Sequence, residues 1–122
     1  MTLSADNQQT FDEAFAASTE QINSFYKADN PKTHYILFLE YLYLSKMIAD
    51  LKEIDYNDEE MQEITEYVFE RMPHKEILAN VMTPEYFPDA SEMMRYMMMS
   101  PEDLEQEKQK LLNETGFMEY IK

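Results

Sequence analysis

The chain contains no cysteine in its 122 residues. That excludes a disulfide framework and any thiolate nucleophile or metal ligand. Glycine occurs once, at Gly116, where ordinary usage is about 7%. Tight β-hairpins depend on Gly or Asn-Gly turns, and neither Asn-Gly nor Asp-Gly occurs. An antiparallel β protein is hard to build from such a chain, and a Gly-rich phosphate loop is missing too. Bases are scarce: ten Lys and Arg stand against 25 acids, for a formal net charge of −15. Self-repulsion at that level lowers stability and keeps a protein soluble. Nucleic acid and anionic membrane are bound through Lys/Arg clusters, so direct contact with either is not expected. The balance favours a basic protein partner or none.

Long apolar runs are few, and the strongest is YILFLEYLYLSKMIADLKEI, from Tyr35 to Ile54. On a helix at about 100° per residue, Leu37, Tyr41, Leu44, Ile48 and Leu51 form one stripe. Tyr35, Leu39, Leu42 and Tyr43 cover the opposite side of the first half, where Lys46, Asp50 and Glu53 follow in the second half. The first half is therefore expected to be surrounded, and the second half to show a face to water. A membrane span needs about 20 predominantly apolar residues, and Glu40, Lys46 and Asp50 interrupt within that length. The reading is a buried core helix over about 31–53.

The other segments read as covering for it. Thr10 followed by Glu13 fits a capping box, so residues 1–9 are expected to fray. Phe11, Phe15, Ser18, Ile22, Phe25 and Tyr26 then repeat at helical spacing up to about Ala28. Asp29-Asn30-Pro31 breaks and restarts the chain, which makes the first two helices antiparallel neighbours. Asn57 or Asp58 caps a helix over about 58–72 with Met61, Ile64, Val68 and Met72 inward, stopped by Pro73. A shorter helix over 74–82 turns Ile77, Leu78, Val81 and Met82 inward. Thr83-Pro84 starts a further turn that Pro88 ends, and Asp89 or Ser91 caps the segment EMMRYMMM. Ser100-Pro101-Glu102-Asp103 is the clearest helix start, with a cap, proline at N1 and acids in the first turn. Its helix runs to about Thr115 before Gly116. With only Leu104, Leu111 and Leu112 apolar, it is expected at the periphery, and the tail Phe117–Ile121 is expected to dock. The architecture is all-α: one domain, 1–122, an irregular bundle of five to six helices around the central one. A chain this long buries a core without metal or disulfide support. The start, MTLSADNQQ, lacks the basic and apolar regions of a secretory signal, so a cytoplasmic location is expected.

Two surfaces stand out. No base occurs from residue 53 through 70, where Glu53, Asp55, Asp58, Glu59, Glu60, Glu63, Glu66 and Glu70 fall. On one helix Glu59, Glu63, Glu66 and Glu70 lie within about 60° of one another. Like charges at i,i+4 cost a few tenths of a kcal/mol each, and their spacing of roughly 5–6 Å resembles in outline the charge row of a nucleic-acid backbone. The bland reading is a solvated face. A calcium loop from Asp55 to Glu66 needs Gly at its sixth position, and Glu60 stands there. The second surface is the methionine segment: Met93, Met94, Met97, Met98 and Met99 with Tyr96. Some of these must face outward, and flexible methionines recur at adaptable binding surfaces. Met93, Met97 and Met98 also have the spacing of core fillers.

No metal site, cofactor site or catalytic set emerges. His34 and His74 lack Glu-x-x-His or His-x-x-x-His spacing. Glu40, alone in the apolar run, is expected to meet a Lys, an Arg or a Tyr hydroxyl. The expected function is non-enzymatic: an acidic protein that neutralises a basic partner, as an immunity protein, antitoxin or charge-mimicking inhibitor of a nuclease would. Its binding residues are Asp58, Glu59, Glu63, Glu66 and Glu70. The alternative is an assembly or regulatory module using Met94, Tyr96, Met98 and Met99 against a second copy or another helix.

Overall fold

A computed structural model describes residues 2–27, 33–81 and 90–115. Among them are six helices and no strand: α1 (Ala5–Lys27), α2 (Thr33–Leu51), α3 (Met61–Arg71), α4 (Lys75–Val81), α5 (Ala90–Met97) and α6 (Pro101–Thr115). The fold is an all-α bundle, and α2 is its axis, packed against each of the other five helices. Ile36 through Leu42 are buried without a break, because neighbours cover both sides of this half of the helix. Burying a Leu, Ile or Phe side chain stabilises by about 1.5–3 kcal/mol, so this run is the largest contiguous contribution to the core. No helix among the described residues is long and apolar enough to cross a membrane.

Three contacts fix α1 antiparallel to α2. Thr33 Oγ1 donates to the Phe25 carbonyl at 3.4 Å, Ser18 Oγ to Glu40 Oε2 at 2.6 Å, and Asn7 Nδ2 to the Leu51 carbonyl at 3.1 Å. The start of α1 corrects the sequence reading. Its cap is Ser4, whose hydroxyl accepts the Asn7 N–H at 3.2 Å, so residues 5–9 are helix and not frayed. Thr10 lies within the helix, its hydroxyl donating to the Asp6 carbonyl. The early start holds because the first turn is tied down: Gln8 donates to the Tyr67 hydroxyl at 3.1 Å and Lys52 to the Thr2 carbonyl.

The end of α2 uses Glu53 where glycine is usual. Ile54 N–H donates to the Ala49 carbonyl and Glu53 N–H to that of Asp50, the paired closure of a Schellman motif. It needs the left-handed region at Glu53, whose φ is 59°. His74, between α3 and α4, has φ 55°. With one glycine in the chain, side-chain-bearing residues take these bends at a steric cost.

Two more expectations are corrected here. α6 is not peripheral: it packs on α2 more extensively than any other helix does. Its stripe of Leu104, Lys108, Leu111 and Leu112 is buried throughout. Lys108 reads as a gap in an apolar face, yet it fills that face because Glu40 waits opposite. Lys46 does not face water either. It is 5% exposed, and its ammonium donates to the Met97 carbonyl at 2.6 Å and to that of Met99. A lysine satisfying the last carbonyls of a helix is a C-terminal cap, here supplied to α5 by another helix. Asp50 and Glu53 are exposed as expected. The start of α6 is as read, with Ser100 Oγ accepting the Asp103 N–H at 3.2 Å. The connections at 28–32 and 82–89, the Asp89 cap and the tail from Gly116 lie outside the described residues.

Candidate functional site

The acidic surface is built on the turn before α3 and on α3 itself. Asp58 Oδ1 accepts the Glu60 N–H at 2.9 Å, a local bond that competes with helix geometry. The helix accordingly opens at Met61 rather than at Asp58, and Asp58 and Glu59 stand on the turn. Ile64 and Val68 are fully buried, with Met61 half-buried, which fixes the opposite side of α3 outward. Glu63, Glu66 and Glu70 are on that side and exposed, as are Asp58 and Glu59. Asp58, Glu59, Glu60, Gln62, Glu63 and Glu66 together border an open hollow of about 770 Å³.

Lys52 forms an ion pair with Glu60, which is half-buried, and Lys75 lies 3.6 Å from Glu70 at the far end. Arg71 is turned aside, its guanidinium 3.6 Å from the Tyr67 ring centroid. Gln62 donates to Glu66 at 3.5 Å. Behind the row stands Tyr41. Burial pushes its phenol up, a hydrogen bond with Thr65 works against that, and the Glu66 charge adds to it. Carboxylates so placed accept hydrogen bonds from Lys or Arg of an approaching surface, and exposed pairs of this kind are worth little singly but steer association together.

The methionine segment divides. Met94, Met97 and Met98 are 56, 48 and 80% exposed, while Met93 and Met99 are half-buried against the core. The spacing of core fillers therefore fails for Met97 and Met98. Tyr96, expected in the contact surface, is 3% exposed and belongs to the core. Arg95 lies over its ring at 4.9 Å.

Inside, α1, α2 and α6 enclose a polar cluster. Lys108 Nζ lies 2.6 Å from Glu40 Oε1, 3.0 Å from Glu105 Oε2 and 3.1 Å from Gln21 Oε1. Burial alone would push the Lys108 ammonium down, but the charge and hydrogen bond of Glu40, aided by Glu105, leave it raised. With Ser18 on its other oxygen, Glu40 is doubly partnered. A cleft of about 230 Å³ opens on this cluster between Ala14, Ala17 and Tyr43. The pairing of Glu40 was expected; its partner was not, since a lysine within a charged helix gives no sign of turning inward.

The histidines remain apart. His34 stacks on Tyr35 at 4.5 Å, and His74 Nε2 is 2.8 Å from Asn23 Oδ1. No group of His, Asp and Glu among the described residues is arranged to hold a metal ion. No protein-family model matches this chain, and neither a curated protein nor a solved structure is significantly similar to it.

Proposed function

We propose that this protein is a non-enzymatic binding protein whose α3 surface docks on, and neutralises, the basic surface of a protein partner. One observation supports it above the rest. Asp58, Glu59, Glu63 and Glu66 all face solvent around one open hollow. A net charge of −15 adds long-range attraction to any such partner. An immunity protein, an antitoxin or a charge-mimicking inhibitor of a nuclease or nucleic-acid-binding complex works in this way.

The row also rests on a well-supported base: Ile64 and Val68 hold α3 against α2, so the backbone that carries Glu63 and Glu66 needs no ordering on binding. Preorganisation of that kind lowers the entropic cost of association. The test is the triple replacement Glu59→Lys, Glu63→Lys and Glu66→Lys. Binding to a basic partner should be abolished while helix content stays at the wild-type level. Undiminished binding by the folded triple variant overturns the proposal.

A further inference from the structure

Among the described residues the large apolar side chains that stand in water are Tyr56, Met94, Met97 and Met98. They are gathered in one place. Met94, Met97 and Met98 are spaced i, i+3 and i+4, which puts them on one helix face. The Met98 N–H donates to the Met94 carbonyl and keeps that turn. Lys46 brings the tyrosine to them. Its ammonium donates to the Met97 carbonyl at 2.6 Å and lies 5.2 Å from the centre of the Tyr56 ring. Single apolar residues are ordinary at a surface, whereas a gathered set marks a contact.

The charges around this set say what it contacts, because acids are in excess. Asp50 accepts the Tyr56 hydroxyl proton and Asp55 precedes the ring in sequence, both of them exposed. Glu92 lies on α5, and Glu102, Asp103 and Glu107 lie on α6. Facing these acids are two surface bases, Arg95, engaged with Glu107 at 3.0 Å, and Lys110, which borders a hollow with Met99 and Asp103. Lys52 and Glu60 cancel as an ion pair, and Lys46 is buried. A second copy of the chain, a nucleic acid or an anionic membrane would each add negative charge to a corner that already has too much.

We propose that this corner receives a cationic amphipathic helix of the partner protein. Its apolar stripe lies on Met94, Met97, Met98 and the Tyr56 ring. Lys or Arg on its flanks meets Asp50 and Asp55 beside the ring, and Glu102 and Asp103 at the start of α6. Helices recognised in this way present apolar anchors at i, i+3 and i+4, and unbranched methionines adapt to them. The inference rests on the reading of the partner as basic. It adds a contact of another kind, apolar and on different residues from the α3 row.

Calorimetric titration of the full chain with two synthetic peptides is the experiment. Both are about 18 residues long and share one composition of Leu, Lys and Ala. One is ordered as an amphipathic helix and the other is scrambled. At about 150 mM NaCl the ordered peptide should bind about tenfold or more tighter than the scrambled one. Met94→Gln with Met98→Gln, at side chains that face water, should remove that advantage. Helix content and the affinity for the scrambled peptide should stay as in wild type. Equal affinity for the two peptides overturns the proposal, as does an advantage that survives the methionine changes or binding of neither peptide. The α3 reading is judged separately, by whether the scrambled peptide is held and then lost when Glu59, Glu63 and Glu66 become lysine.

Discussion

Lys108 and Glu40 meet at 2.6 Å inside the bundle, with both side chains withdrawn from water. Their helices, α6 and α2, are the most extensively packed pair, so this ion pair sits at the mechanical centre of the molecule. Ser18, Gln21 and Glu105 satisfy the remaining valences.

Removing one member leaves the other buried without a counter-charge. Lys108→Met should therefore cost about 3–5 kcal/mol, and replacing the pair together (Glu40→Leu with Lys108→Met) should recover most of that loss. Urea unfolding of the three proteins checks it. Equal stability of wild type and Lys108→Met would show that the pair contributes nothing.

The same pair gives stability an alkaline limit. The folded Lys108 ammonium titrates above its ordinary range, so the stability it contributes is complete below the unfolded lysine pKa of about 10.4. It is lost as pH rises through the higher folded value. Lys46, lowered by burial, acts with the opposite sign: its protonation opposes folding, and rising pH relieves that cost. As pH rises above about 10.4, wild type should lose more stability than the double replacement at 40 and 108. Parallel losses would contradict the assignment.

Tyr56 should be among the last tyrosines to ionise. Its phenol is pushed up to about 12 by burial and by its hydrogen bond and charge contact with Asp50, whose Oδ1 accepts the hydroxyl proton at 2.7 Å. A carboxylate in that position stabilises the neutral phenol. Asp50→Asn should bring the value down, and absorbance titration of Tyr56→Phe and Asp50→Asn reads it directly. An unchanged high-pH limb in both variants would contradict the contact.

Glu53 occupies a bend that suits glycine. Its φ of 59° places Cβ against the following carbonyl, and glycine escapes that clash at some cost in unfolded-state entropy. Glu53→Gly should stabilise by about 0.5–1 kcal/mol, seen as a higher urea midpoint. A lower midpoint would mean that the Glu53 side chain holds the turn together.

The inward faces of the first four helices were legible because apolar residues recur there at helical spacing. Phe11, Ile22 and Phe25 on α1, Ile64 and Val68 on α3, and Met72 just past its end are buried as their periodicity requires. The central helix was legible for the same reason. What periodicity misses is a charge that turns inward toward a distant partner. Lys108 breaks the stripe of α6 until Glu40 is known to face it, and Lys46 reads as solvated until the carbonyls of Met97 and Met99 are placed above it. The capping pattern at Thr10 misled for a local reason. It is a valid start, but Ser4 offers an earlier one that contacts to α2 and α3 support. Between residues 93 and 99, five methionines and a tyrosine crowd one short segment, so spacing alone could not separate Tyr96 inside from Met98 outside.

The docking role of the α3 surface is tested most directly by capture on a panel of basic nucleases, with ionic strength as the variable. Wild-type protein should hold at least one of them at low salt, release it steeply as salt rises, and lose it altogether when Glu59, Glu63 and Glu66 are changed to lysine. Capture that persists in the triple variant or is indifferent to salt, or no capture of any member, would contradict the account.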